Sequence, residues 1–205
     1  MKAVKRLRIC AHRILIGCGI DIRKKRRDRV VLETVIFPEL LLKPEYRRIL
    51  FVGCAWYTLH YPRLFARKEF STLEIDPRNA CFGAARHHID SCEHVDRYYE
   101  PGTLDCIVCN GVFGFGLNDP DAIERTFLGM HRVLRPAGLL VFGWNDMPAT
   151  RPMPIDGIHS LQHFEPVEFP PLGCSVYHSD SGNGHRFHFL RNLPPPPTLC
   201  EVPPP

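Results

Sequence analysis

A glycine and an acid supply the spacing in this chain that could do chemistry. Gly53 ends the unbroken apolar run Ile49 to Val52, and a second run, Phe70 to Ile75, carries Glu74 and is followed by Asp76. Gly53 and Glu74 lie 21 residues apart. That is about the ~20 residues expected when a strand–turn–helix–strand unit sets a nucleotide over the turn and an acid on its ribose hydroxyls. Glycine lets the backbone come close to a ligand, and a carboxylate accepts two hydrogen bonds from a diol. Further polar residues end later apolar runs: Asp90-Ser91 after Arg86 to Ile89, Asn110 after Leu104 to Cys109, and Asn145-Asp146 after Gly138 to Trp144. His60, His88, Asn145 and Asp146 are the candidate proton acceptors, and no spacing singles one out. Asn145-Asp146 is equally readable as a simple turn, and His87-His88 as two polar residues on a short strand.

The elements that must position these residues alternate. Pro62 opens a short helix through Arg67, Asn79 to Ala85 forms a small-residue helix, and Glu93 to Tyr99 a helical turn. Asp119 is a good N-cap, Pro120 suits the first helical position, and Ile123, Phe127, Met130 and Leu134 mark one buried face before Pro136 stops the helix. Ser175 to His178 and His185 to Leu190 flank a glycine-containing turn and read as a hairpin. The expected fold is α/β: an open, twisted, mostly parallel sheet with a C-terminal antiparallel hairpin. Pro148 to Pro171 is expected to be a connector, and residues 30–47 an irregular lead-in.

Length and composition suit one sizeable domain: 205 residues, 44% apolar, 23% charged. The net charge of +4 is uneven, because residues 1–29 hold 11 Lys or Arg against Asp21 and Asp28, which leaves the remainder acidic. The expected organisation is a basic helix and lead-in over 1–45, a main domain over 46–192 and a proline-rich tail over 193–205, where seven of the 20 prolines fall in the last twelve residues. Residues 3–27 carry apolar positions at helical spacing between basic ones. Such a segment could touch an anionic membrane surface, act as a targeting peptide, or pack one face on its own domain. No aromatic–basic interleaving on the body supports nucleic-acid binding. Nine irregularly spaced cysteines and no secretory signal imply reduced thiols and a cytoplasmic location. Cys106 and Cys109 look like a metal or redox pair, but positions three apart on a strand face opposite ways, so no metal is expected.

From about Tyr46 to Leu190 the chain resembles class I S-adenosylmethionine-dependent methyltransferases. The match is carried by Leu104-Asp-Cys-Ile-Val-Cys-Asn110 and by His131-Arg-Val-Leu-Arg-Pro-Ala-Gly-Leu-Leu-Val141, which is similar to the family's turn before its fifth strand. The resemblance implies a Rossmann-like fold, S-adenosylmethionine as cofactor, and methyl transfer to oxygen or nitrogen of a small-molecule or glycan acceptor. It further implies that Gly53, Cys54 and Ala55 form the cofactor turn, that Glu74 holds the ribose, with Ile75 beside it in the cofactor site, that Asp90 and Ser91 lie near the adenine, and that Asn110 faces the methionine moiety. Asn110 and Asp146 are the candidate catalytic residues. Ala55 and Tyr57 stand where the family has its second and third glycines. An alanine at a positive-φ site costs about 1 kcal/mol, and a tyrosine blocks backbone approach unless the loop takes another path. The alternatives are a remodelled loop, with Trp56 or Tyr57 packed against the cofactor, or a non-catalytic relative that serves as a binding module. Gly111 to Gly116 reads as a lip over the pocket, with Phe113 and Phe115 either lining an acceptor site or capping the core.

Overall fold

The computed structural model describes residues 26–194; the expected basic helix, most of residues 3–27 and the proline tail lie outside them. An eight-stranded sheet runs β3-β2-β1-β4-β5-β8-β6, with β7 also paired to β8. Strands β1 (Arg48–Val52), β2 (Glu69–Glu74), β3 (Arg86–Ile89), β4 (Leu104–Asn110) and β5 (Leu134–Asn145) are parallel. Strand β8 (His185–Asn192) runs antiparallel to β5, to β6 (Phe164–Pro166) and to β7 (Val176–His178). The α/β fold and the terminal hairpin are therefore as expected. The stretch from Pro148 to Pro171 differs: it contributes a short strand, β6, as well as connecting turns, because the carboxyl half of β8 has an edge to fill.

Each central strand is apolar on both faces, and successive residues feed two cores. Ile49, Phe51, Cys106, Val108 and Val141 face one way; Leu50, Val52, Ile107, Cys109 and Phe142 face the other. Cys106 and Cys109 thus point into different cores, both fully buried, and burial pushes both thiols far above their ordinary range. Among the described residues no group of three or more His, Cys, Asp or Glu is placed to hold a metal ion.

One core is closed by a helix where an irregular lead-in was expected. Helix α1 is built from Arg27–Val31, a π-helical stretch Leu32–Ile36, and Phe37–Leu42. Its Leu32, Ile36, Phe37 and Leu40 are fully buried, and Phe37 meets Tyr61 and Phe65 edge to face at 4.8 and 4.9 Å. Tyr61 lies on the short helix α2 (Tyr61–Leu64). The reading went astray at Pro38, which falls within the first turn of the Phe37–Leu42 segment, just after the wide π turn. A helix tolerates a missing N–H best at such a place.

The other core is closed by α3 (Pro120–Val133), which begins as its sequence predicts; Leu134, expected on its buried face, instead opens β5, which also takes in Pro136. Asp119 accepts from the Ala122 N–H at 2.9 Å. The chain then turns straight into β5, and Ala137 takes φ +60, the left-handed conformation that favours glycine. The segment Asn79 to Ala85, expected as a helix, is a 3₁₀ turn (Pro77–Phe82) followed by extended chain. No described helix is long and apolar enough to cross a membrane.

Candidate functional site

Strand order reverses between β1 and β4, and open parallel sheets leave a crevice at that point. A cavity of about 260 Å³ lies there, beyond the carboxyl ends of β1, β2 and β4. Gly53, Cys54, Ala55, Glu74, Ile75, Asp90, Ser91 and Asn110 all line it, so the structure brings eight of the expected residues to one cleft. Asn79, Val112 and Leu117, which the sequence did not single out, complete its walls.

The turn after β1 explains why one glycine suffices. Gly53 has φ +92, and a Cβ there would lie 2.8 Å from Val112 Cγ1. Ala55 has φ −150 and ψ 175, an extended conformation that any residue adopts, so the expected cost of alanine there does not arise. The chain then makes a 3₁₀ turn, Trp56–Thr58. Thr58 Oγ1 closes it by accepting from the Ala55 N–H at 3.1 Å and donating to the Ala55 carbonyl at 2.9 Å. Tyr57 lines the cavity wall, and its hydroxyl accepts from Arg29 at 3.4 Å. Trp56 packs edge to face against Tyr57 at 5.4 Å and is not in the wall.

Glu74 is nearly buried, and its two oxygens accept the N–H groups of Cys54 (2.6 Å) and Asp76 (2.9 Å). A carboxylate has about four lone-pair sites, so each oxygen keeps capacity for one more donor. The bond to Cys54 also ties the β1 turn to β2. Beside it, Ile75 presents a half-exposed apolar side chain to the cavity. Asp90 accepts from the Ser91 N–H (2.7 Å), His94 Nδ1 (2.9 Å) and the Tyr98 hydroxyl (2.8 Å). Burial pushes its carboxyl upward, but those bonds outweigh it and hold the group below the usual carboxylate range. The Cys54 thiol is pushed up to about 12, chiefly by burial, and stays protonated.

Asn110 ends β4 with its Oδ1 buried and unpartnered. It leans over Gly143 of β5, where a Cβ would lie 2.0 Å from Asn110 Oδ1 and 3.1 Å from His185 Nε2, also unpartnered. Glycine at 143 is what lets these two polar atoms converge.

A second cavity of about 230 Å³ adjoins the first through Tyr57, Gly111 and Phe115. Its walls come from the start of α1 (Arg26, Asp28, Arg29) and from Asn145, Asn183 and His185 at the end of the sheet. Arg29 is buried, donates to the Tyr61 hydroxyl (3.3 Å) and the Tyr57 hydroxyl (3.4 Å), and sits 4.5 Å over the Tyr57 ring. The ring nitrogen His185 Nδ1 lies 2.7 Å from Asn145 Oδ1, which also accepts from Asn183 Nδ2 at 2.7 Å. Burial lowers the imidazole to about 4, so His185 is neutral near pH 7 and Nε2 carries the lone pair. Asp28, Arg29, Asn183 and His185 escaped the sequence reading. Their chain separation exceeds 150 residues, and no motif joins them.

The other expected candidates lie apart. Asp146 follows β5 but is absent from both walls, its carboxylate paired with Arg151 (2.9 Å) and Arg186. His60 faces Glu33 at 3.5 Å, and His88 stacks on Tyr98 at 4.2 Å. In the Gly111 to Gly116 lip, Phe113 is fully buried in the core, whereas Phe115 is exposed and lines both cavities.

No protein-family model and no curated protein sequence matches the chain. Solved structures do. The N-methyltransferase NodS of Bradyrhizobium japonicum is 19% identical with a TM-score of 0.55, over 80% of this chain and 97% of that one. A TehB-like S-adenosylmethionine-dependent methyltransferase of Corynebacterium glutamicum is 17% identical with a TM-score of 0.56, over 94% of this chain and 100% of that one. A 1,6-didemethyltoxoflavin N1-methyltransferase of Burkholderia thailandensis, solved with its substrate and S-adenosylhomocysteine, is 15% identical with a TM-score of 0.50, over 78% of each chain. In strand order, strand direction and the place of its crevice, the chain has the Rossmann-like fold of the S-adenosylmethionine-dependent methyltransferases.

Proposed function

We propose that the chain binds S-adenosylmethionine and transfers its methyl group to oxygen or nitrogen of a small acceptor. The observation that carries this reading is the convergence of four residues from four parallel strands on one cleft. Gly53, Glu74, Asp90 and Asn110 all face it, with Glu74 held by two backbone N–H groups and able to accept two more donors. Glu74 would take the ribose hydroxyls, Ile75 would lie against the adenine, Asp90 and Ser91 would flank its amino group, and Asn110 would face the amino-acid moiety. The turn over Gly53 to Ala55 supplies close backbone approach without further glycines.

When bound, S-adenosylmethionine would supply an activated methyl group, with a neutral thioether as the leaving group. The protein's work is then alignment and exclusion of water. A base is needed only where the acceptor carries a proton at its working pH. Asn110 cannot take a proton, and its role is to orient. Asp146 is engaged by two arginines away from the cleft. His185, with a free lone pair on Nε2, is the imidazole beside the cleft. Depressed to about 4 by burial, it is a poor proton acceptor at neutral pH.

The test is thermal unfolding with and without S-adenosylhomocysteine. Binding to the folded state alone raises the melting temperature by mass action, and a hundredfold excess over Kd adds about 2.7 kcal/mol. No response at millimolar ligand leaves only the reading as a non-catalytic binding module.

A further inference from the structure

The second cavity holds a buried cation that no described carboxylate meets at ion-pair distance; Asp28 beside it, and Glu33 beyond the Tyr61 hydroxyl, support the charge only indirectly. Arg29 is only 7% exposed. Its hydrogen-bond acceptors are two phenol oxygens at 3.3 and 3.4 Å, both long. Among the described residues no carboxylate forms an ion pair with it, and the neighbouring Asp28 pairs with Arg26 at 3.4 Å. A buried guanidinium is costly unless an anion meets it, and its planar fork matches a carboxylate. Gly111 stands at the junction of the two cavities, where a Cβ would come only into ordinary contact with Arg29 Nη2, at 3.8 Å. Phe115 lines the same space with 53% of its surface exposed, and Tyr57 is also in its wall. An aromatic rim beside a buried cation fits a planar ring that bears an acid group.

We propose that this cavity is the acceptor subsite and that it selects a small, ring-bearing carboxylic acid, with Arg29 pairing with the carboxylate. The proposal rests on the methyl-transfer reading of the adjoining cleft. The ring would lie between Tyr57 and Phe115, and a hydroxyl or amine on it would point toward Asn145, Asn183 and His185. A cavity of about 230 Å³ has room for one substituted ring.

The experiment is calorimetry on the full chain with defined probes. S-Adenosylhomocysteine is titrated first. Then, with that ligand saturating, 4-hydroxybenzoate is compared with its neutral methyl ester, in the wild type, in Arg29→Met and in Arg29→Lys. The expected result is a preference of tenfold or more for the acid in the wild type, lost in Arg29→Met and partly kept in Arg29→Lys, with S-adenosylhomocysteine affinity within twofold throughout. Equal binding of acid and ester by the wild type, or of neither while S-adenosylhomocysteine binds, overturns the acceptor proposal and leaves the cofactor reading intact. Because that comparison needs no variant, a misfolded Arg29→Met does not obscure it. A third outcome also overturns it: Arg29→Met loses affinity for S-adenosylhomocysteine but keeps it for 5′-methylthioadenosine, which lacks the carboxylate. Arg29 then serves the cofactor's own amino-acid tail. If S-adenosylhomocysteine does not bind the wild type, the cofactor reading fails and the subsite falls with it.

Discussion

The two cavities that meet at Tyr57, Gly111 and Phe115 are built by different means. The first is made by the sheet: its polar groups stand at the ends of neighbouring parallel strands, and backbone N–H groups hold its central carboxylate. The second is made by packing: the first turn of α1 and the far end of the sheet enclose it, and its charged and polar groups are held by other side chains. A cleft built on strand ends is as rigid as the ladder beneath it. One built on a helix terminus and a hairpin depends on burial, and its groups carry the larger desolvation cost.

The sharpest way to break this comparison is at Glu74. Replacement by alanine removes two charge-assisted acceptor positions, each worth about 1.5–3 kcal/mol. S-Adenosylhomocysteine affinity should fall by roughly a hundredfold or more, and Glu74→Gln should lie between, as read by calorimetry. An affinity within threefold of wild type would mean that the strand-end geometry does not hold a diol. The same variant also frees the Cys54 N–H, so circular dichroism must show a folded chain before the loss is assigned.

Acid should act on the second cavity. His185 is lowered to about 4 from an unfolded value near 6.5, so between those pH values the unfolded chain binds more protons. Its contribution is complete above about pH 6.5 and is lost as pH falls toward 4, about 3 kcal/mol in all. Urea unfolding between pH 7 and 4 should show this slope, and His185→Gln should remove its share. An unchanged slope in the variant would place the imidazole in water. His188 shifts the same way, so part of the slope should remain.

The smallest effect concerns neither cavity. Ala137 holds φ +60 in the turn before β5, where Ala137→Gly should stabilise the fold by about 1 kcal/mol without altering either affinity. A destabilised glycine variant would show that the turn carries no strain.

That alanine also marks how far the sequence could be read. A strained alanine was expected at position 55, because it stands where the resembled family has its second glycine. The 3₁₀ turn closed by Thr58 gives Ala55 ordinary angles, and the left-handed alanine is at 137 instead. Residues 30–47 were expected to be irregular because Pro38 and Pro44 interrupt them. Phe37, Leu40 and Ile36 nonetheless fill a core that only the assembled sheet offers, and tertiary burial overrode the local signal.

By itself, the sequence determined every strand but β6, their mostly parallel order, the helix from Pro120, and most of the polar residues of the first cleft. Those follow from apolar runs and from what ends them, and a parallel sheet brings strand ends together whatever the loops do. Only the tertiary structure decided that Arg29 and His185 share a wall, that Asp146 is engaged elsewhere and that Gly143 must be bare. These are contacts between segments far apart in the chain. Local pattern carries no record of which side chain another element will cover.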